Sequence, residues 1–177
     1  MVEGNEFGLK TGDGALATDP VVFYINTKEH EGFFPKTSIK FGNPAIYYSS
    51  YDGVSCASGG TWQEATAKAR AVDSKAREYR AVDIILVVKD TVTVKGKGKD
   101  APDVVAFEAG KKLGHTTSTT NWNNWEAFYR ELIKQDLLGK EVEVEVSSEY
   151  RTNASKNEWG VLQFKIIGEV KQEETPD

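Results

Sequence analysis

The chain has 177 residues, of which 39% are hydrophobic and 28% charged, and its formal net charge is −5. This composition is typical of one globular domain, and the negative balance argues against strong, non-specific binding of duplex DNA. A single cysteine, Cys56, excludes an intrachain disulfide, and the longest apolar run, residues 84–88, is too short to cross a membrane. Residues 1–10 carry no secretory signal, so we expect a cytoplasmic protein without a membrane partner.

The first 60 residues give weak local signals. Residues 1–20 are rich in Gly, Asp and Thr and predict an irregular lead-in. Short β-type runs follow at residues 21–26, 37–41 and 45–51, and Gly42-Asn43-Pro44 is a turn signal between the last two. This half is either a subdomain or the source of the main domain's first strand, and the sequence leaves both open.

A first helix is predicted from Thr61, a candidate N-cap, to about residue 80. The prediction depends on apolar residues that recur at spacings of three and four, namely Trp62, Ala65, Ala69, Val72, Ala76 and Tyr79.

The second half has a clearer order of elements. Three β-type runs are predicted at residues 79–88, 91–95 and 104–108. A helix over residues 124–138 follows, capped by Asn123 or Asn124 and stopped by Gly139. Its apolar stripe consists of Trp125, Phe128, Leu132, Ile133 and Leu137. Two more strands are predicted at residues 141–150 and 159–170.

Three strands, a helix and two strands is the order of the five-stranded OB-fold barrel. We therefore predict a mainly β protein: an OB-fold barrel with a helix between strands 3 and 4, and an N-terminal extension with short strands and a helix. The lead-in covers residues 1–20, the single domain covers residues 21–170, and a short acidic tail covers residues 171–177.

Several aromatic residues lie beside cations, which is the combination that binds single-stranded nucleic acid. Tyr79 stands between Arg77 and Arg80, and Trp122 lies in a Thr- and Asn-rich segment that is predicted to be a loop. Such aromatic residues are equally compatible with a place in the core, and lysine runs with a solvated loop. The full set of candidate nucleic-acid-binding residues is Arg77, Tyr79, Arg80, Lys95, Lys97, Lys99, Lys111, Lys112, Trp122, Tyr150, Arg151, Lys156 and Trp159. We hypothesise that the loops carrying Lys97 and Lys156 flank one groove.

Catalytic and metal-binding signals are weak. His30, His115 and Cys56 are too few and too far apart in sequence for a zinc site, and no Gly-Lys-Ser/Thr phosphate loop or Gly-x-Ser-x-Gly motif is present. His115 is expected in a loop. The sequence therefore predicts a protein that is not an enzyme and has no cofactor.

Residues 77–170 resemble the OB-fold single-stranded-DNA-binding proteins of bacteriophages. The resemblance depends on the predicted strand at residues 79–88 and on four segments: FEAGKKLG (107–114), NNWEAFYRELI (123–133), LLGKEVEVEV (137–146) and WGVLQFKIIGEV (159–170). It implies a protein that binds and protects single-stranded DNA with little sequence preference during replication or recombination, in the host cytoplasm if a phage encodes it.

Similar proteins often recruit replication or recombination proteins through an acidic tail, and Glu173, Glu174 and Asp177 form a short version of one. A carbohydrate- or protein-binding β-domain is the alternative, followed by a metal-dependent nuclease. The sequence leaves open whether the protein is a homodimer and whether it prefers DNA or RNA.

Overall fold

The computed structural model describes residues 2–3, 6–11, 14–18, 20–96, 98–156 and 158–171. Side chains are described from Pro20 onward, except those of residues 149, 150 and 158. The described strands are β1 (Val2–Glu3), β2 (Glu6–Thr11), β3 (Gly14–Thr18), β4 (Val21–Asn26), β5 (Phe33–Phe41), β6 (Ile46–Ser50), β7 (Glu78–Val88), β8 (Val92–Val94), β9 (Val104–Phe107), β10 (Lys112–Thr116), β11 (Glu141–Thr152) and β12 (Glu158–Glu169). The described helices are α1 (Trp62–Val72) and α2 (Thr119–Lys134). The prediction of a mainly β protein is confirmed.

The main sheet is antiparallel and has the strand order β12-β11-β4-β7-β5-β6, with β10 paired to the other edge of β7. Strands β4 and β5 follow one another along the same edge of β7, since Phe23 lies across from Val88 and Phe33 across from Ile84. They therefore behave as one long strand interrupted at residues 27–32. Among the described strands no pairing joins β12 to β10, so the sheet is open.

Alternating burial along β4 and β11 produces the core face of this sheet. Val142, Val144 and Val146 are fully buried, as the Val/Glu alternation predicts, and Val144 lies across from the buried Phe23. Helix α2 covers this face with Trp125, Phe128 and Leu132. A second, smaller core forms where α1 covers Ile39 and Phe41 of β5.

The two helices differ from the prediction at their ends. Thr61 caps α1 as predicted, but the helix ends at Val72 because residues 78–80 pair with β5 instead of extending it. Ser118 caps α2 by accepting from the N–H of Asn121 at 3.3 Å, so the predicted cap at Asn123 or Asn124 is wrong. Trp122 consequently lies in the first turns of α2 and not in a loop.

Two segments predicted to lack regular structure are strands. The irregular lead-in prediction is wrong for its described part, because β1, β2 and β3 form a three-stranded antiparallel sheet whose backbone lies against β11 and β12. The segment around His115 is also not a loop but strand β10, in which His115 lies across from Ile84. The predicted strands at 91–95 and 104–108 form the separate hairpin β8–β9.

No helix in the described part of the chain is long and apolar enough to span a membrane. The acidic residues Glu173, Glu174 and Asp177 lie outside the described residues.

Candidate nucleic-acid interface

The hairpin β5–β6 presents lysines from one strand and tyrosines from the other side of the turn on one of its faces, while Tyr48 packs against Phe41 on the other face. The register places Ser38 across from Ser49 and Lys40 across from Tyr47. Because side chains alternate between the two faces of a sheet, every second residue of each strand joins this face. We call it the lysine–tyrosine face. It consists of Lys36, Ser38, Lys40, Tyr47, Ser49 and Tyr51, the last of which directly follows β6 and lies beside Lys36.

Each tyrosine ring on this face has a lysine beside it. The Nζ of Lys40 lies 5.7 Å from the ring centroid of Tyr47, and the Nζ of Lys36 lies 5.7 Å from that of Tyr51. The tyrosines are 57% and 48% exposed, respectively. Ring faces of this kind are available to a stacking ligand, and the adjacent ammonium groups favour an anionic one.

Strand β7 and the start of α2 extend the lysine–tyrosine face into a groove. Tyr79 lies across from Ser38, and the groove has a volume of about 470 Å³. Its far wall runs from Thr116 to Thr119, where the first turn of α2 contains no acidic residue. Amides in the first turn of a helix favour negatively charged groups. The hydroxyls of Thr116, Thr117 and Ser118 are already used in hydrogen bonds within the protein.

Asp83 of β7 lies at one end of this face and accepts three hydrogen bonds. The donors are the Nζ of Lys36 at 2.8 Å, the hydroxyl of Thr116 at 2.5 Å and the hydroxyl of Tyr51 at 2.5 Å. Burial acts to raise the pKa of Asp83, but the three donors outweigh it and hold the pKa below its usual value. The hydrogen bond to this carboxylate raises the pKa of Tyr51 to about 12.

Two of the sequence-predicted residues, Arg80 and Trp122, line another groove, which also reaches Lys36 and Tyr51 of the lysine–tyrosine face. Arg80 follows Tyr79 along β7, so its side chain points to the other side. The groove has a volume of about 330 Å³, and Pro35 and Trp122 connect it to a smaller apolar pocket beside Trp125. The prediction thus placed Tyr79 and Arg80 in one site, whereas they face different grooves.

The β11–β12 hairpin brings Arg151 across from Trp159, and both residues are half-buried. The indole Nε1 of Trp159 is buried and has no hydrogen-bond partner within the described residues. Lys156 is exposed in the connecting turn at a φ of 59°. The side chain of Tyr150 and all of Lys97 lie outside the described residues. The hypothesis that the loops carrying Lys97 and Lys156 flank one groove therefore stays a prediction.

The other predicted cations lie on exposed positions outside the lysine–tyrosine face. Arg77 donates hydrogen bonds to the carbonyls of Ser74 and Ala76, each at 3.0 Å. The Nζ of Lys111 lies 5.3 Å from the Phe107 ring. Lys95, Lys99 and Lys112 are exposed.

Within the part of the chain that the structure describes, no group of three or more His, Cys, Asp and Glu side chains could hold a metal ion. The chain matches no protein-family model, no curated protein and no solved structure.

Proposed function

We propose that this protein binds single-stranded DNA with little sequence preference, through the lysine–tyrosine face, and protects it during replication or recombination. The observation that carries the proposal is the pairing of two half-exposed tyrosine rings with two lysine ammonium groups at 5.7 Å, one pair on the β5–β6 hairpin and one directly after it. A ring that stacks on any base and a cation that contacts any phosphate together give affinity without base readout.

The spacing of the tyrosines suits an extended strand. Tyr47 and Tyr51 are four residues apart, which corresponds to at most about 13 Å of extended chain. The two rings would therefore contact different nucleotides of the same strand. Stacking contributes about 1–3 kcal/mol per base, so two rings supply a useful part of the binding free energy.

Charge favours a single strand over a duplex. The cations of the face are Lys36 and Lys40, while the whole chain carries a net charge of −5. Non-specific duplex binding depends on many phosphate contacts, which an acidic protein with one small basic face supplies poorly. The exposed bases of a single strand can also stack on the tyrosine rings, whereas the paired bases of a duplex cannot.

We also propose that the sheet is an opened OB-fold barrel. In this interpretation β4 and β5 form the first, bent strand, β7 and β10 are the second and third, and β11 and β12 are the fourth and fifth. The position of α2 between β10 and β11 supports it, because the predicted barrel has its helix at that point.

The test is a fluorescence anisotropy titration with labelled oligo(dT) at low and high salt. We expect Lys40→Ala and Tyr47→Ala each to weaken binding about fivefold or more, because each removes a phosphate contact or a stacking ring. Tyr47→Phe keeps the ring, and Lys75→Ala removes an exposed lysine elsewhere, so both should bind like the wild type.

Absence of oligo(dT) binding at low salt would overturn the proposed function. Salt-insensitive binding of a sugar would favour a carbohydrate-binding domain instead, and Mg²⁺-dependent cleavage of the oligonucleotide would favour a nuclease.

A further inference from the structure

We propose that Asp83 is a positioning residue of the lysine–tyrosine face, which fixes Lys36 and Tyr51 in the places where a single strand meets them. The inference rests on the proposed function and names a residue that the strand itself need not contact. Asp83 stands out because it lies in an otherwise apolar stretch of β7 and joins side chains from three neighbouring segments.

The three donors reach Asp83 from different parts of the fold. Lys36 belongs to β5, Thr116 belongs to β10, and Tyr51 directly follows the last residue of β6. Tyr51 lies beyond the end of β6, and its side chain is 48% exposed. The hydrogen bond from its hydroxyl to Asp83 at 2.5 Å therefore anchors this side chain to the sheet. The ring is thereby held next to Lys36.

Asp83 also holds the side chain of Lys36 in place. Its side chain is only 10% exposed, although lysine stems on a strand are usually solvated, and its Nζ lies 2.8 Å from Asp83. A lysine fixed in this way loses little rotational freedom when it contacts a phosphate. Fixed side chains lower the entropic cost of binding, which is the general benefit of preorganisation.

The charge of Asp83 has the opposite effect on a polyanion, and this makes the residue easy to test. Replacement of Asp83 by Asn removes one negative charge from the face, which by itself would strengthen DNA binding. The same replacement weakens the hold on Lys36 and Tyr51. A loss of affinity in this variant therefore reports positioning, since simple electrostatics predicts a gain.

The experiment measures oligo(dT) affinity for wild type, Asp83→Asn, Tyr51→Phe and the double variant. We expect each single variant to bind about fivefold more weakly. The double variant should bind no more weakly than Asp83→Asn, because both substitutions act on the same hydrogen bond, which Asp83→Asn weakens and Tyr51→Phe removes. Asp90→Asn, which changes the charge at an exposed position, should bind like the wild type. Equal or tighter binding by Asp83→Asn would overturn the inference.

A second readout does not involve DNA. Alkaline titration of tyrosine absorbance should show one group with a pKa of about 12 in the wild type that moves towards 10 in Asp83→Asn and disappears in Tyr51→Phe. Circular dichroism checks that each variant is folded, and Tyr51→Phe, whose ring is half-exposed, tests the proposal even if Asp83→Asn does not fold.

The outcomes separate the two proposals. No binding by the wild type overturns the proposed function and the inference with it. Weaker binding by Tyr47→Ala together with unchanged binding by Asp83→Asn overturns the inference alone. A Tyr51 titration that is the same with and without the Asp83 carboxylate also overturns it.

Discussion

The side-chain oxygen of Asn121 in α2 accepts a 2.9 Å hydrogen bond from the backbone N–H of Leu162 in β12. Asn124, less than one turn later, donates from Nδ2 to the carbonyl of the same residue at 2.8 Å. Two asparagines therefore satisfy both backbone groups of Leu162 on the side that β11 leaves free. The backbone groups of an unpaired edge strand can pair with a strand of another chain. At Leu162, helix α2 occupies these groups, so no further strand can pair there.

We predict that Asn121→Ala lowers the free energy of unfolding by about 1–3 kcal/mol. The substitution leaves the buried N–H of Leu162 without an acceptor, and an unsatisfied buried donor keeps its full desolvation cost. Urea denaturation measures the effect. Asn123→Ala is the matched control, because Asn123 is exposed on the same helix and the change in helix propensity is identical. Equal stability of the two variants would contradict the prediction.

A second prediction concerns the pH dependence of stability. Burial lowers the pKa of His115 from 6.5 to about 4. Between these values the unfolded chain binds a proton that the folded protein excludes, so stability rises with pH in this window and falls as the protein is acidified. We expect a loss of about 2 kcal/mol between pH 7 and pH 5, a range in which most carboxylates stay ionised.

Urea denaturation at both pH values measures this loss. His115→Gln should be nearly insensitive to pH over the same range, whereas His30→Asn, at an exposed position, should keep the wild-type dependence. A wild-type stability that is flat from pH 7 to pH 5 would show that His115 is not held neutral by its surroundings.

The strands with strong local periodicity were predictable from the sequence. The prediction of β4 agrees with the structure at both ends, and the predicted bounds of β7 and β11 differ by one or two residues. The strand state of β10 was not predictable, because its sequence KLGHT has no alternating pattern and its structure depends on pairing with β7. Tertiary pairing likewise overrode the helical spacing of Ala76 and Tyr79 beyond the end of α1.

The lysine–tyrosine face was missed although its signal is present in the sequence. The turn was predicted at residues 42–44, but it covers residues 42–45, because Phe41 lies across from Ile46. Counting outward from the four-residue turn joins Lys40 with Tyr47 and continues to Lys36 with Tyr51, whereas counting from a three-residue turn would join Lys40 with Ile46. Neither member of a pair is unusual alone, so the site becomes visible only when the register is applied. Asp83 gave no comparable signal, because its donors come from strands far apart in sequence.

Thr27 supplies a third prediction, since it links the end of β4 to the connection between α2 and β11. Its hydroxyl is fully buried, lies 2.8 Å and 2.6 Å from the carbonyl oxygens of Leu137 and Lys140, and accepts from the N–H of Lys140 at 3.0 Å. Thr27→Val keeps the shape but removes these bonds, and should cost about 1–3 kcal/mol in urea denaturation. Thr93→Val, exposed on β8, should change stability by less than about 0.5 kcal/mol. An unchanged free energy of unfolding in Thr27→Val would show that the hydroxyl makes no net contribution to stability.

The salt dependence of oligo(dT) binding should separate the lysines from the tyrosines of the face. Each phosphate contact to a single strand contributes about −0.7 to the slope of log K against log salt concentration. Lys40→Ala should therefore make the slope shallower by about 0.7, because it removes one such contact. Tyr47→Ala should lower the affinity by a similar factor at every salt concentration and leave the slope unchanged, since stacking releases no counterions. Anisotropy titrations at several salt concentrations measure both quantities. If Tyr47→Ala changed the slope as much as Lys40→Ala does, the two residues would not have the separate roles in stacking and phosphate contact that the geometry of the face supports.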